Sequence, residues 1–413
     1  MSKIFRQRKV WPFQLLLVGF IVWLAHGILA HAQADRKPVV IERAPLRFIK
    51  DPNPSFSAVA VDSDSNMLVV SDENMFRIME YDRRENTPPQ ARLSEPKRII
   101  SGTNTKAEMI CGVYIDPKTK EIYALNGDTQ NWMPVFSTDA RGNVAPNRAL
   151  NIPGHPFQMA ADEDQQLLYM TIQSDNQLSV YRKQASGGEK PLRTIRGNDT
   201  RLEDPHGLAL DLKNRLVFVS NFGNGNVRGA GGRYGTFAPP SITVYPMEGS
   251  GNIKPMRVIQ GPKTLMNWPA HMAFHQERQE LFVANDADNS ILVFRASDEG
   301  DVAPIRVIKG PKTGIKSPPG IALDSKLGEL YVANMGTPSI TVFPVTATGD
   351  VAPSPTEWPI RRLRYSPGWR TEDKRRFERS TVRPANFPEQ CTTSAMTLCM
   401  MRSSCPSPTL KQF

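Results

Sequence analysis

The feature that most restricts this chain is that it repeats itself. The stretch "LYVANMGTPSITVF" at 330–343 restates "LFVANDADNSILVF" at 281–294. Anchored on Asp324, equivalent positions fall at Asp62, Asp116, Asp162, Asp211 and His275, separated in chain order by 54, 46, 49, 64 and 49 residues. A short apolar run leads into each anchor, such as "AVAVD", "GLALD" and "GIALD". A second follows at fixed offset ("LVVSD", "IYALN", "LYMTI", "VFVSN", "LFVAN", "LYVAN"), and a third ends on Tyr81, Phe136, Tyr181, Tyr245, Phe294 or Phe343. A fourth is built on Pro-x-Arg-x-Ile, as in "PLRTIRG" and "PIRVIKG". Short β-branched and aromatic runs between turn residues read as strands. Repeats of this length hold one supersecondary unit each and must stack to bury both faces.

The fold class is therefore all-β: a six-bladed β-propeller of four-stranded antiparallel blades. The recurring third-strand aromatic belongs between adjacent blades as core. The sixth repeat lacks an immediate fourth strand. "RAPLRFIK" at 43–50 matches "APIRVIK" at 303–309 and is expected to supply it, closing the ring from the N-terminal side. "WPIRRL" at 358–363 is the rival. The pattern resembles the NHL-repeat propellers, in particular their exported bacterial members, through "YVAN…SITVF" and the G-D-V-A-P-x-R-x-I-x-G phrase. That resemblance implies a six-bladed ring. It leaves activity open, because such rings host enzymes, sensors and adaptors alike.

Charge divides the chain into three. Residues 1–34 carry four basic residues and no acid, residues 354–413 carry eleven basic and five acidic residues, and the overall net charge is +10, so 10 − 4 − 6 leaves zero for 35–353. A neutral body argues against nucleic-acid binding. The leader, a basic start followed by "VWPFQLLLVGFIVWLAHGILA" and "AHAQA", reads as a signal peptide or a signal anchor over 1–34. The expected organisation is then a propeller over 35–355 and a basic, largely disordered tail over 356–413. The expected location is the periplasm or the exterior, with inner-membrane anchoring if the leader is retained, and a monomer by default. Cys111 is alone in the body, while Cys391, Cys399 and Cys405 sit in the tail, where export permits a disulfide.

Strand order gathers the loops before strand one and after strand two on one face, which is the expected functional face. His155, His206 and His271 lie in the first set, and Asp72, Asn126, Asn221, Asn285 and Asn334 end the second strands. Imidazoles with carbonyl and carboxylate oxygens are a possible donor set for one divalent metal ion. The competing reading makes the Asn and Asp side chains caps of their own turns. A nineteen-residue insertion between Asn221 and Ser241 carries Arg228 and Arg233, which could clamp an anion on the same face. "PHGLALD" resembles the strand start that supplies metal-binding histidines in peptidyl-hydroxyglycine lyase propellers. Only His206 matches by position, since His271 is shifted by one residue. The gluconolactonase-type calcium set has no matching Glu.

With no nucleophile or acid–base motif in view, the sequence-based expectation is an exported binding module. Its functional face would hold a protein, peptide or glycan through Asp72, Asn126, Asn221, Arg228, Arg233, Asn285 and Asn334. The alternative is a metal-dependent lyase or lactonase-like hydrolase with His206 and His271 as ligands, and His155 as a third candidate.

Overall fold

A computed structural model describes residues 36–127, 130–223 and 238–347. The first of the chain's two compact units runs from Met1 to Ser354; the second, Pro355–Phe413, lies outside the described residues, as do the leader, the tail cysteines and 358–363. Among the described residues the chain forms six sheets. Blade 1 is Phe56–Asp62, Met67–Asp72, Arg77–Asp82 and Arg98–Ile100; blade 2 is Ile110–Asp116, Glu121–Asn126, Trp132–Ser137 and Arg148–Asn151. Blade 3 is Pro156–Asp162, Leu167–Ile172, Gln177–Arg182 and Arg193–Arg196; blade 4 is Pro205–Asp211, Leu216–Asn221, Ser241–Pro246 and Arg257–Gln260. Blade 5 is Pro269–His275, Glu280–Asn285, Ser290–Arg295 and Arg306–Lys309. Blade 6 takes Gly320–Asp324, Glu329–Asn334 and Ser339–Pro344 from its own repeat.

Its fourth strand is Arg47–Lys50, antiparallel to Ser339–Pro344 with Ile49 opposite Ile340. The N-terminal side thus closes the ring, through the last four residues of the stretch expected to do so. One element was not anticipated. Val39–Ile41 adds a fifth, parallel strand outside blade 5, with Val40 opposite Val307. Elsewhere that place is taken by the next blade's turn glycine, as in Ile259 with Gly300. Arg36 secures the added strand through Asp298 at 2.5 Å.

First strands of successive blades neighbour one another around the axis. There the backbones approach so closely that a Cβ on Gly207 would sit 2.1 Å from the carbonyl oxygen of Ala270, and one on Gly320 2.3 Å from that of Ser57. Only glycine permits such an approach. The same position holds Gln158 in blade 3 and His271 in blade 5, and these two side chains span the axis. Gln158 accepts from the amides of Leu208 and Met272 and donates to the Met272 carbonyl at 2.8 Å.

The third-strand aromatics are all buried between blades, joining clusters such as Phe294 with Phe218 and Phe343 with Phe282. Burying a ring of this kind contributes roughly 1.5–3 kcal/mol. The motif arginine of each fourth strand works at the seam to the next blade. Arg193 donates to the Met247 carbonyl at 2.9 Å and Arg257 to that of Ala296 at 2.8 Å. Arg306 grips buried Glu280 with two bonds, 2.9 and 2.7 Å, and reaches Val345 O at 3.2 Å. The seam between blades 2 and 3 also encloses Lys183, whose fully buried ammonium meets Asp116 at 2.5 Å and pairs with Glu163.

Candidate functional site

The loops before strand one and after strand two do meet on one face. Three consecutive blades place a left-handed residue just before the first strand: His155 (φ 61°), Asp204 (φ 57°) and Trp268 (φ 55°). For residues other than glycine this costs roughly 1–2 kcal/mol each, and such strain concentrates at functional sites. The turns are held by backbone bonds, Gln173 N to His155 O at 3.0 Å, Phe222 N to Asp204 O at 3.0 Å and Asp286 N to Trp268 O at 3.1 Å.

Between these turns runs a stack of rings. His206 lies parallel to Phe222, centroids 3.4 Å apart at 5°, and against Phe157 at 3.9 Å. Phe222 continues onto Trp268 at 5.6 Å and 13°. His206 is buried, and its Nδ1 lies 3.0 Å from Asp204 O. Phe157, Phe222 and Trp268 are half-buried, so the stack forms a partly exposed apolar wall among the described residues.

Asp286 stands beside that wall, directly after strand two of blade 5. Its carboxylate has no hydrogen-bond partner among the described residues. Burial raises its pKa to about 6. Across the mouth, Glu73 of blade 1 places a carboxylate oxygen 3.9 Å from the buried Cys111 sulfur. A poised carboxylate next to a partly exposed apolar wall can accept a proton from water and hold a ring-shaped substrate.

The histidines do not converge as a donor set. His271 is fully buried, bonded to the backbone carbonyls of Cys111 and Phe157, and its pKa is lowered to about 3 by burial and by nearby His206. His155 turns instead to Ser174, Nδ1 to Oγ 2.8 Å. Among the described residues no three His, Cys, Asp or Glu side chains form a metal-holding group.

Asp72, Asn126, Asn221, Asn285 and Asn334 are buried, with their side chains engaged by their own loops. Asn126 Oδ1 accepts from Glu108 N at 3.1 Å, Asn221 Oδ1 from Glu203 N at 3.0 Å, Asn285 Oδ1 from Asn267 N at 2.6 Å and Asn334 Oδ1 from Lys316 N at 3.1 Å. Asp72 accepts from Ser55 N at 2.9 Å and pairs with Arg77 at 2.6 Å. All five act as turn caps. Arg228 and Arg233 lie outside the described residues. Sequence reasoning passed over Phe157, Phe222, Trp268 and Asp286; the one available signal was their place next to the expected loops.

Comparison with known proteins bears on what such a mouth does. The profile of a family described as "Lactonase, 7-bladed beta-propeller" matches residues 90–358. A 6-phosphogluconolactonase of Photorhabdus laumondii is 25% identical over 178 residues, covering 43% of this chain and 48% of that protein. A 6-phosphogluconolactonase of Xenorhabdus nematophila is 22% identical over 177 residues, with the same shares. The chain thus spans about half the length of these curated relatives. These findings overturn the expectation of a non-enzymatic binding module, which rested on the lack of a recognisable catalytic motif. A carboxylate acting on water needs no such motif.

Proposed function

The chain belongs to the family of lactonases described as seven-bladed β-propellers, and from that premise we propose that it hydrolyses a sugar lactone at the mouth formed by blades 3 to 5. The family match over 90–358, which takes in blades 2 to 5 and the three strands of blade 6 from its own repeat, is the observation that carries this reading. The C–H face of a lactone ring lies on the Phe157–Phe222–Trp268 wall. Asp286, ionised above a pH of about 6, takes a proton from water as the water oxygen bonds to the lactone carbonyl carbon. The tetrahedral oxyanion then expels the ring oxygen. That alkoxide recovers the proton, and the product is an open hydroxy acid.

The test is ring opening of glucono-1,5-lactone and its 6-phosphate in a pH-stat, corrected for spontaneous hydrolysis. Turnover should rise with pH through about 6, following Asp286. Asp286→Asn should lower kcat roughly 10²–10⁴-fold, the usual weight of general-base catalysis, with an unchanged far-ultraviolet spectrum. Absence of turnover by the wild-type chain would remove the lactonase reading. Undiminished turnover by the variant would remove Asp286 from it. The basic and apolar leader supports the further proposal that this activity works outside the cytoplasm.

A further inference from the structure

Two sets of residues border the mouth, those just before strand one and those just after strand two. The turn caps fix their register. Glu108, Glu203 and Lys316 each give a backbone amide to the Asn that ends strand two of their own blade. Asp204 follows Glu203, Glu73 follows Asp72 and Asp286 follows Asn285. The amides of Glu73 and Asp286 are fastened to the turns before strand one, through Ser55 O and Trp268 O, both at 3.1 Å.

These positions hold Glu73 in blade 1, Glu108 in blade 2, Glu203 and Asp204 in blade 4 and Asp286 in blade 5, against Lys316 in blade 6. All five acidic residues are half-buried, whereas Lys316 is exposed. Partly buried charge is screened less by salt than exposed charge, and a mouth lined mainly by one sign focuses its field. Other cations of this face are engaged: Arg77 pairs with Asp72 at 2.6 Å, Lys309 with Asp288 at 2.7 Å, and Lys106 lies 4.1 Å over the Trp132 ring. Counting Arg228 and Arg233 of the insertion in full still leaves acid in excess. The name of the curated relatives, 6-phosphogluconolactonase, denotes a phosphorylated and hence anionic lactone. Phosphate is ordinarily gripped by arginine forks or ammonium groups, and the described mouth positions supply Lys316 alone.

We propose that the mouth selects an uncharged sugar lactone over its 6-phosphate, with the acids of blades 1, 2 and 4 holding the anion off. This rests on the lactonase reading and adds to it the charge of the substrate. The aromatic wall and Asp286 make the site; Glu73, Glu108, Glu203 and Asp204 decide which charge it admits. Their field acts on a phosphate dianion and leaves a neutral ring nearly untouched.

The test compares kcat/KM of the full chain for glucono-1,5-lactone and for its 6-phosphate at neutral pH. The uncharged lactone should be favoured roughly tenfold or more at low salt, and the gap should close at high salt. Glu108→Gln combined with Glu203→Gln keeps side-chain shape and backbone caps, and should narrow the low-salt gap several-fold. A second readout needs no turnover. The emission of half-buried Trp268, taken as the difference from a Trp268→Phe chain, should be quenched several-fold less by iodide, and more by caesium, than free N-acetyltryptophanamide of matched exposure to acrylamide. Turnover with the 6-phosphate preferred would overturn this inference and leave the lactonase reading standing. Iodide quenching at or above that of the matched reference would overturn it as well. Failure to open either lactone would remove the lactonase reading, and this inference with it.

Discussion

At the axis, a single imidazole is held where water cannot reach it. His271 is neutral in the fold because burial, reinforced by His206, pushes its pKa to about 3. An unfolded chain would protonate the same group below its ordinary value of about 6.5. The unfolded state therefore binds more protons between pH 6.5 and 3, and stability falls as pH drops through that window. The expected size is a few kcal/mol. Urea midpoints measured from pH 7 to pH 4 should fall less steeply for His271→Asn than for the wild-type chain. An unchanged slope would mean that other groups set the acid limit. The sequence showed His271 entering strand one one residue late, and that offset alone carries it from the loop onto the axis. It did not show which backbone carbonyls the ring would meet, because they come from blades more than a hundred residues away. Asp286 was equally hidden: its character comes from burial beside Trp268, and no local pattern encodes that.

Strands and seams were legible to different degrees. Periodicity gave the four strands of each blade, since alternation and turn residues are local. The Pro-x-Arg-x-Ile phrase was read as a strand, but the role of its arginine was not, because its acceptors lie on other strands of its own blade or in the next blade. Two such arginines should behave differently. Arg306 is buried against buried Glu280, so Arg306→Met should cost about 3 kcal/mol, the lower end for a broken buried pair, since Arg278 stays 2.8 Å from the same carboxylate. Arg98 is 26% exposed and, although its partner Glu80 is buried, its second partner Asp139 is 89% exposed, so Arg98→Met should cost less, about 1–2 kcal/mol. Urea midpoints at pH 7 decide the comparison. The strand at Val39–Ile41 escaped notice for a plain reason: it is three residues long and two of them are exposed.

At the largest scale, the described residues of the first unit form a ring fastened twice by one N-terminal segment. The blade count of six was readable from the anchors, while the family to which the chain belongs is described as seven-bladed. The ring closes where Arg47–Lys50 meets Ser339–Pro344. A chain begun at residue 43 keeps that strand and loses only the added one on blade 5. It should unfold cooperatively with a melting temperature lower by a few degrees, given about 1 kcal/mol for each ladder bond lost. A chain begun at residue 51 leaves blade 6 with an unpaired edge and should lose its single cooperative transition in calorimetry. A sharp transition in the shorter chain would show that closure from this side is dispensable.

Gln158 and His271, crossing at the centre, turn what could be a pipe into a cup. A solute entering among the aromatic rings meets these two side chains across its path. Under the lactonase proposal, the acid just formed would then stand in the doorway of the next molecule.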